Sequence, residues 1–169
     1  MSAFHHKLAS FILRYGTLAG RIFLALIFLG AAFNKITNFK GTLGYMQSAM
    51  GALPEGVLSF LLVGAIAFLV LGGISVLLGC HGRSGALLLL VFLVIVTPVF
   101  HAFWAVPAEQ FQMQLISFQK NLAIMGGLLM VLAFGAGPLS VDAWLKARRE
   151  DQAPADASQQ MYEPAPATD

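Results

Sequence analysis

The sequence predicts an all-α protein, a four-helix transmembrane bundle with both termini cytoplasmic. Three observations carry that prediction. Of 169 residues, 58% are hydrophobic and only 11% charged, whereas a soluble domain carries about 25% charged residues. A helix crossing the hydrocarbon core needs about 20 apolar residues, and the chain supplies that length four times. Its cations stand at the ends of the apolar runs, where membrane insertion places them. The spans are expected at about 15–35, 56–79, 84–104 and 115–137. Together they make one membrane domain over 15–144, between a cytoplasmic segment 1–14 and a disordered cytoplasmic tail 145–169.

The first span is the least regular. The uncharged run IFLALIFLGAAF between Arg21 and Asn34 is too short to cross at about 1.5 Å per residue. The helix therefore starts near Tyr15 or earlier and includes Arg21. Arg21, Phe28 and Lys35 recur every seventh residue and share a face. Two readings of Arg21 stand: a cation snorkelling to the interface, or an inward-facing group making an inner-face ion pair or head-group contact. Gly16 and Gly20 form a GxxxG that would admit a neighbouring helix. The connection ITNFKGTLGYMQSAMGALPE places Tyr45, Met46, Ala49 and Met50 at helical spacing. It reads either as an interfacial amphipathic helix or as a loop packed over the bundle mouth.

From Gly56 to Cys80 no residue is charged, and Gly72, Gly73, Ser75 and Gly79 offer small surfaces for close packing. HGRS then turns the chain sharply into the third span. There Pro98 is expected to kink the helix, and Thr97, His101 and Trp104 fall on one face if it continues. Trp104, Phe100 and Phe103 suit an interfacial aromatic rim. The fourth span starts near Leu115, includes Lys120 and Asn121 near its start, and stops at Gly137-Pro138. Ala123 and Gly127 add another small-xxx-small pair. The tail, WLKARREDQAPADASQQMYEPAPATD, is rich in Ala, Pro, Gln and acid and shows no apolar period.

Several chemistries are disfavoured. A net charge of +2 without a basic run gives no support for nucleic acid as a partner. Cys80 is the single cysteine, so neither an internal disulfide nor a CxxC pair exists. His81 and His101 lie roughly 30 Å apart along a helix and cannot share one haem, while His5 and His6 read as solvated. No His, Cys, Asp or Glu spacing suggests a metal site. Glu55 and Glu109 are the only acids before Asp142, so a relay of buried carboxylates is absent. No strand–Gly-rich loop–helix pattern suggests a nucleotide.

What remains is a constellation at the outer face. Four spans bring Lys35, His101, Lys120 and Asn121 to one depth on one side, joined by Asn34, Gln112, Gln114, Ser117 and Gln119. The expectation is a polar pocket at the bundle mouth under a Trp and Phe rim. It would suit an anion or a quinone, whose carbonyls need donors, whose tail needs an apolar channel, and whose protons need a group such as His. The plainer alternative is that the two lysines are interface anchors and His101 bonds a neighbouring helix.

RIFLALIFLGAAFNKITNF, YMQSAMGALP, HAFW…FQKNLAIMGGLL and the closing GAGPLSVD resemble, in order and spacing, the DoxX family of small bacterial membrane proteins. The resemblance covers roughly residues 18–144. It implies a four-helix bundle in the bacterial inner membrane, and its recurrent polar positions fall on Arg21, Lys35, His101, Lys120 and Asn121. The family is named for a subunit of a thiosulfate:quinone oxidoreductase and brings no mechanism for those residues. The expectation is a quinone-interacting or redox-complex subunit, with no covalently bound cofactor and quinone as ligand. A non-enzymatic anchor or assembly partner, or a small-molecule carrier, are the alternatives, and catalysis by the chain itself stays open. The expected partners are the lipid bilayer, a redox or client protein subunit, and a second copy of the chain in a homo-oligomer.

Overall fold

The computed structural model describes residues 3–51 and 53–152. Its elements follow in order as α1 (Ala3–Phe11), a π-helical stretch Ile12–Gly16, α2 (Thr17–Thr37), α3 (Phe39–Met50), α4 (Glu55–Leu78), α5 (Gly82–Phe100), a 3₁₀ turn Phe103–Ala105, α6 (Ala108–Phe134) and α7 (Val141–Gln152). No strand occurs among the described residues. Four stretches are long and apolar enough to cross a membrane: Phe4–Thr37, Glu55–Leu78, Gly82–Ala105 and Ala108–Phe134.

Each helix begins and ends for a local reason. Pro54 and Pro107, both at φ −57°, stand just ahead of α4 and α6, where a missing N–H costs no helical bond. Gly79 closes α4 at φ +64°, and His81 follows at φ +51°. This left-handed pair makes the sharp turn into α5. Asp142, far along the chain, secures that turn. Its carboxylate accepts the backbone N–H groups of His81 at 2.8 Å and Gly82 at 2.9 Å, and its own N–H donates to Gly79 O at 2.9 Å. An acid at the positive end of α5 satisfies donors that a helix start otherwise leaves orphaned.

The inward stripe of α2 is Arg21, Ala25, Phe28 and Ala32, at three- and four-residue spacing. Its Phe28 and Ala32 share a core with Leu69 and Val76 of α4, Leu89 and Leu93 of α5, and Ile124, Leu128 and Val131 of α6. Small residues set how closely α4 and α5 approach. A methyl group at Gly72 would fall 2.7 Å from Leu89 Cδ2, and one at Gly85 would fall 3.2 Å from Gly72 O. The outer surface is apolar, with Phe60 77% and Phe134 76% exposed. Such a girdle suits lipid rather than water.

Several boundaries differ from the sequence expectation. The first helix starts well before residue 15 and runs without a break from the segment expected as 1–14. Of the two readings of the 36–55 connection, the helical one forms, as α3 over Phe39–Met50, and its Leu43 and Met46 pack on Leu58 and Leu62 of α4. α5 ends at Phe100, two residues after Pro98, so His101 and Trp104 leave the helix and share no helical face with Thr97. α6 starts at Ala108 rather than Leu115, which puts Lys120 about three turns inside it. The segment expected as a disordered tail from residue 145 stays helical as far as Gln152. Its remainder, 153–169, lies outside the described residues. A methyl group at Gly20 of the GxxxG would meet nothing within 4 Å, and one at Gly16 would meet only Ile12, so no other helix of the described chain packs on these two glycines.

Candidate functional site

A cavity of about 740 Å³ opens at the end of the bundle away from Asp142, between α2, α3, α4, α5 and α6. Most of its wall is apolar, with Phe28, Phe60, Phe68, Leu93 and Phe100 among the larger contributors. Its polar lining is Lys35, Thr42, Tyr45, His101, Lys120 and Asn121. Lys35, His101, Lys120 and Asn121, drawn from three separate stretches of sequence, therefore stand on one wall system. No carboxylate lines it.

Each polar group is held differently. Asn121 is 7% exposed, and its Nδ2 donates to Thr97 Oγ1 at 3.1 Å, tying α6 to α5 across their buried faces. Its Oδ1 has no protein partner among the described residues. Just past the end of α5, His101 sits with Nδ1 2.9 Å from Gln114 Oε1. An amide oxygen only accepts, so Nδ1 donates this bond, and in the neutral ring Nε2 is the acceptor. Nε2 has no protein partner among the described residues. Tyr45 donates its hydroxyl to Phe100 O at 3.2 Å and stacks on the Phe100 ring at 5.8 Å. This joins α3 to the end of α5. Lys35 is half-buried and Lys120 accessible. Neither amine has a hydrogen bond or ion pair among the described residues.

The other polar residues expected at this end divide. Gln114 positions His101, while Asn34, Gln112, Ser117 and Gln119 do not line the cavity. Of the expected aromatic rim, Phe100 lines the cavity, whereas Phe103 and Trp104 do not. Phe103, Trp104, Phe111 and Phe118 pack edge to face, with centroids 4.9–5.8 Å apart, and pin the 3₁₀ turn to the start of α6. Sequence reasoning missed Thr42 and Tyr45 as lining groups. The signal was present, since Thr42, Tyr45 and Met46 recur at three and four residues and so share one face of α3.

Arg21 belongs to the opposite end. It does not snorkel: it is 2% exposed and among the largest fully buried side chains. Its Nη2 donates to Leu139 O, in the segment that returns the chain from α6 to α7. Nε and Nη1 have no hydrogen-bond partner among the described residues. Asp142 acts on the guanidinium electrostatically without closing to an ion pair, its oxygens being committed to the α5 start. Arg21 thus ties α2 to the 139–142 segment, as the inward-facing reading expects, and it makes no ion pair among the described residues.

With that geometry in hand, comparison with known proteins is informative. The family model DoxX matches residues 16–102. That stretch contains Arg21, Lys35 and His101 and stops before Lys120 and Asn121. Over 130 residues the chain is 32% identical to the inner membrane protein YqjF of Escherichia coli (strain K12), covering 77% of this chain and 92% of that protein. Over 125 residues it is 30% identical to the inner membrane protein YphA of the same organism, covering 74% of this chain and 86% of that one. No solved structure matches.

Proposed function

The chain belongs to the DoxX family, and from that premise we propose that it is a quinone-binding membrane subunit of a redox complex. Like its relatives, it is a multi-pass inner membrane protein. The observation that carries the proposal is the cavity: a largely apolar chamber with Lys35, His101, Lys120 and Asn121 on its wall. A ligand of matching shape has a polar head and an apolar tail. The lysines offer donors to quinone oxygens. His101, with Nδ1 held by Gln114, has Nε2 free to exchange a proton with one of them.

Reduction of a quinone takes two electrons and two protons, and no group in the cavity stores electrons. The electrons come from a partner redox subunit, while this chain supplies the binding site and a path for protons. The orientation that fits has both termini cytoplasmic, as the excess of Lys and Arg at that end supports, and puts the cavity toward the outer face.

The test is equilibrium binding of a short-tailed quinone to the purified protein in lipid nanodiscs. The wild type saturates at one quinone per chain, and Lys120→Met with His101→Phe weakens binding by about tenfold or more. Unsaturable partitioning, identical in both proteins, would reject the proposal. A second reading, a non-enzymatic assembly partner, is supported by the GxxxG face at Gly16 and Gly20, which no helix of the described chain covers.

A further inference from the structure

We infer that the cavity selects amphiphiles whose head carries a negative charge, an ionised ring or carboxyl oxygen above an apolar tail. The inference rests on the reading of the cavity as a ligand site and narrows the chemistry of what enters it.

Its basis is a charge imbalance. Lys35 on α2 and Lys120 on α6 line one cavity whose wall holds no Asp or Glu. Neither amine has a partner among the described residues. Glu55 and Glu109, the acids on the flanking segments, are exposed and line no part of the cavity. A cation inside a membrane protein ordinarily faces a counter-charge or a backbone carbonyl. Because the cavity wall offers no anion among the described residues, a bound head group that brings one supplies the missing counter-charge. A neutral head group does not.

The remaining lining groups agree with an oxygen anion. His101 Nε2 can take up the proton that an acidic head releases. In that step the O–H bond of the head breaks, an N–H bond forms at Nε2, and the resulting oxygen anion faces the two ammonium groups. Nothing is oxidised or reduced. For a quinone ligand, the form so favoured is the deprotonated hydroxyquinone or the quinol monoanion. The same chemistry is offered by a fatty carboxylate.

The experiment compares matched probes on the full chain in nanodiscs of zwitterionic lipid: a 2-hydroxy-3-alkyl-1,4-naphthoquinone with its ring hydroxyl ionised, the neutral 2-methyl analogue with the same tail, and the corresponding alkyl carboxylate. Binding of the ionised quinone about tenfold tighter than the neutral one is expected. Lys35→Met with Lys120→Met should abolish that preference, with a thermal melt confirming the fold. The wild-type comparison stands alone if the double variant fails to fold. Equal binding of the two quinones overturns the charge inference and leaves the quinone reading intact. Binding of the carboxylate but of neither quinone upholds the charge inference and rejects the quinone reading. Binding of none overturns both.

Discussion

At the residue scale, two buried polar side chains carry opposite kinds of structural weight. The Asn121–Thr97 bond joins α6 to α5 with both groups sequestered. Removing one partner leaves the other without its bond, so Asn121→Leu should destabilise the protein by about 1 kcal/mol. A double-mutant cycle with Thr97→Val, followed by unfolding in mild detergent, should show that most of the loss is shared; strictly additive losses would deny the bond any role. Arg21 tests volume against charge. It is large, fully buried, and has two nitrogens unpartnered among the described residues. Arg21→Ala should cost about 3 kcal/mol through the space it vacates. Arg21→Met, which keeps most of the volume and removes a poorly satisfied buried charge, should cost markedly less. If melting temperatures put Met and Ala together, the guanidinium itself is what matters.

At the element scale, the Asp142 cap links the last helix to the turn between α4 and α5. Asp142→Ala removes the acceptor for two N–H groups at once, and a loss of about 1–2 kcal/mol is expected. Hydrogen exchange should show faster exchange at His81 and Gly82 than along α4; unchanged exchange there would contradict the capping role. The elements also show what a sequence reveals and what it hides. The apolar runs disclosed four spans because hydropathy reports which residues sit in lipid. Hydropathy does not report where helices end. α6 extends back to Ala108 through Glu109, Gln110, Gln112 and Gln114, residues that a helix tolerates and a hydrocarbon core does not. α7 was hidden for a related reason. It is highly charged, yet the Lys146–Glu150 pair at 3.8 Å and the Arg148 cation over the Trp144 ring at 4.2 Å are four-residue contacts that its sequence contained.

At the scale of the whole molecule, the site emerges from topology rather than from any motif. Alternating spans brought Lys35, His101, Lys120 and Asn121 to one end, and this much was legible from counting crossings. The share contributed by α3 was not, because Thr42 and Tyr45 reach the cavity only once Leu43 and Met46 have docked on α4. The departure of Trp104 was equally hidden, since it depends on α5 stopping at Phe100. The fate of Arg21 needed knowledge of Leu139, more than a hundred residues away. Orientation is a separate prediction at this scale. Reporter fusions at either terminus should be active only in the form that reads the cytoplasm, and a periplasmic signal from either would reverse the proposed placement of the cavity.

The central claim, that the cavity holds a quinone in the cell, is tested most directly by purifying the full chain from native membranes in mild detergent and quantifying extracted quinones by mass spectrometry. Ala65 lines the chamber from α4, which carries none of the four polar groups, so Ala65→Phe serves as a variant that fills it. The account predicts near-stoichiometric quinone with the wild type and little with Ala65→Phe at equal yield and melting temperature. Quinone at the same low level in both preparations would contradict it.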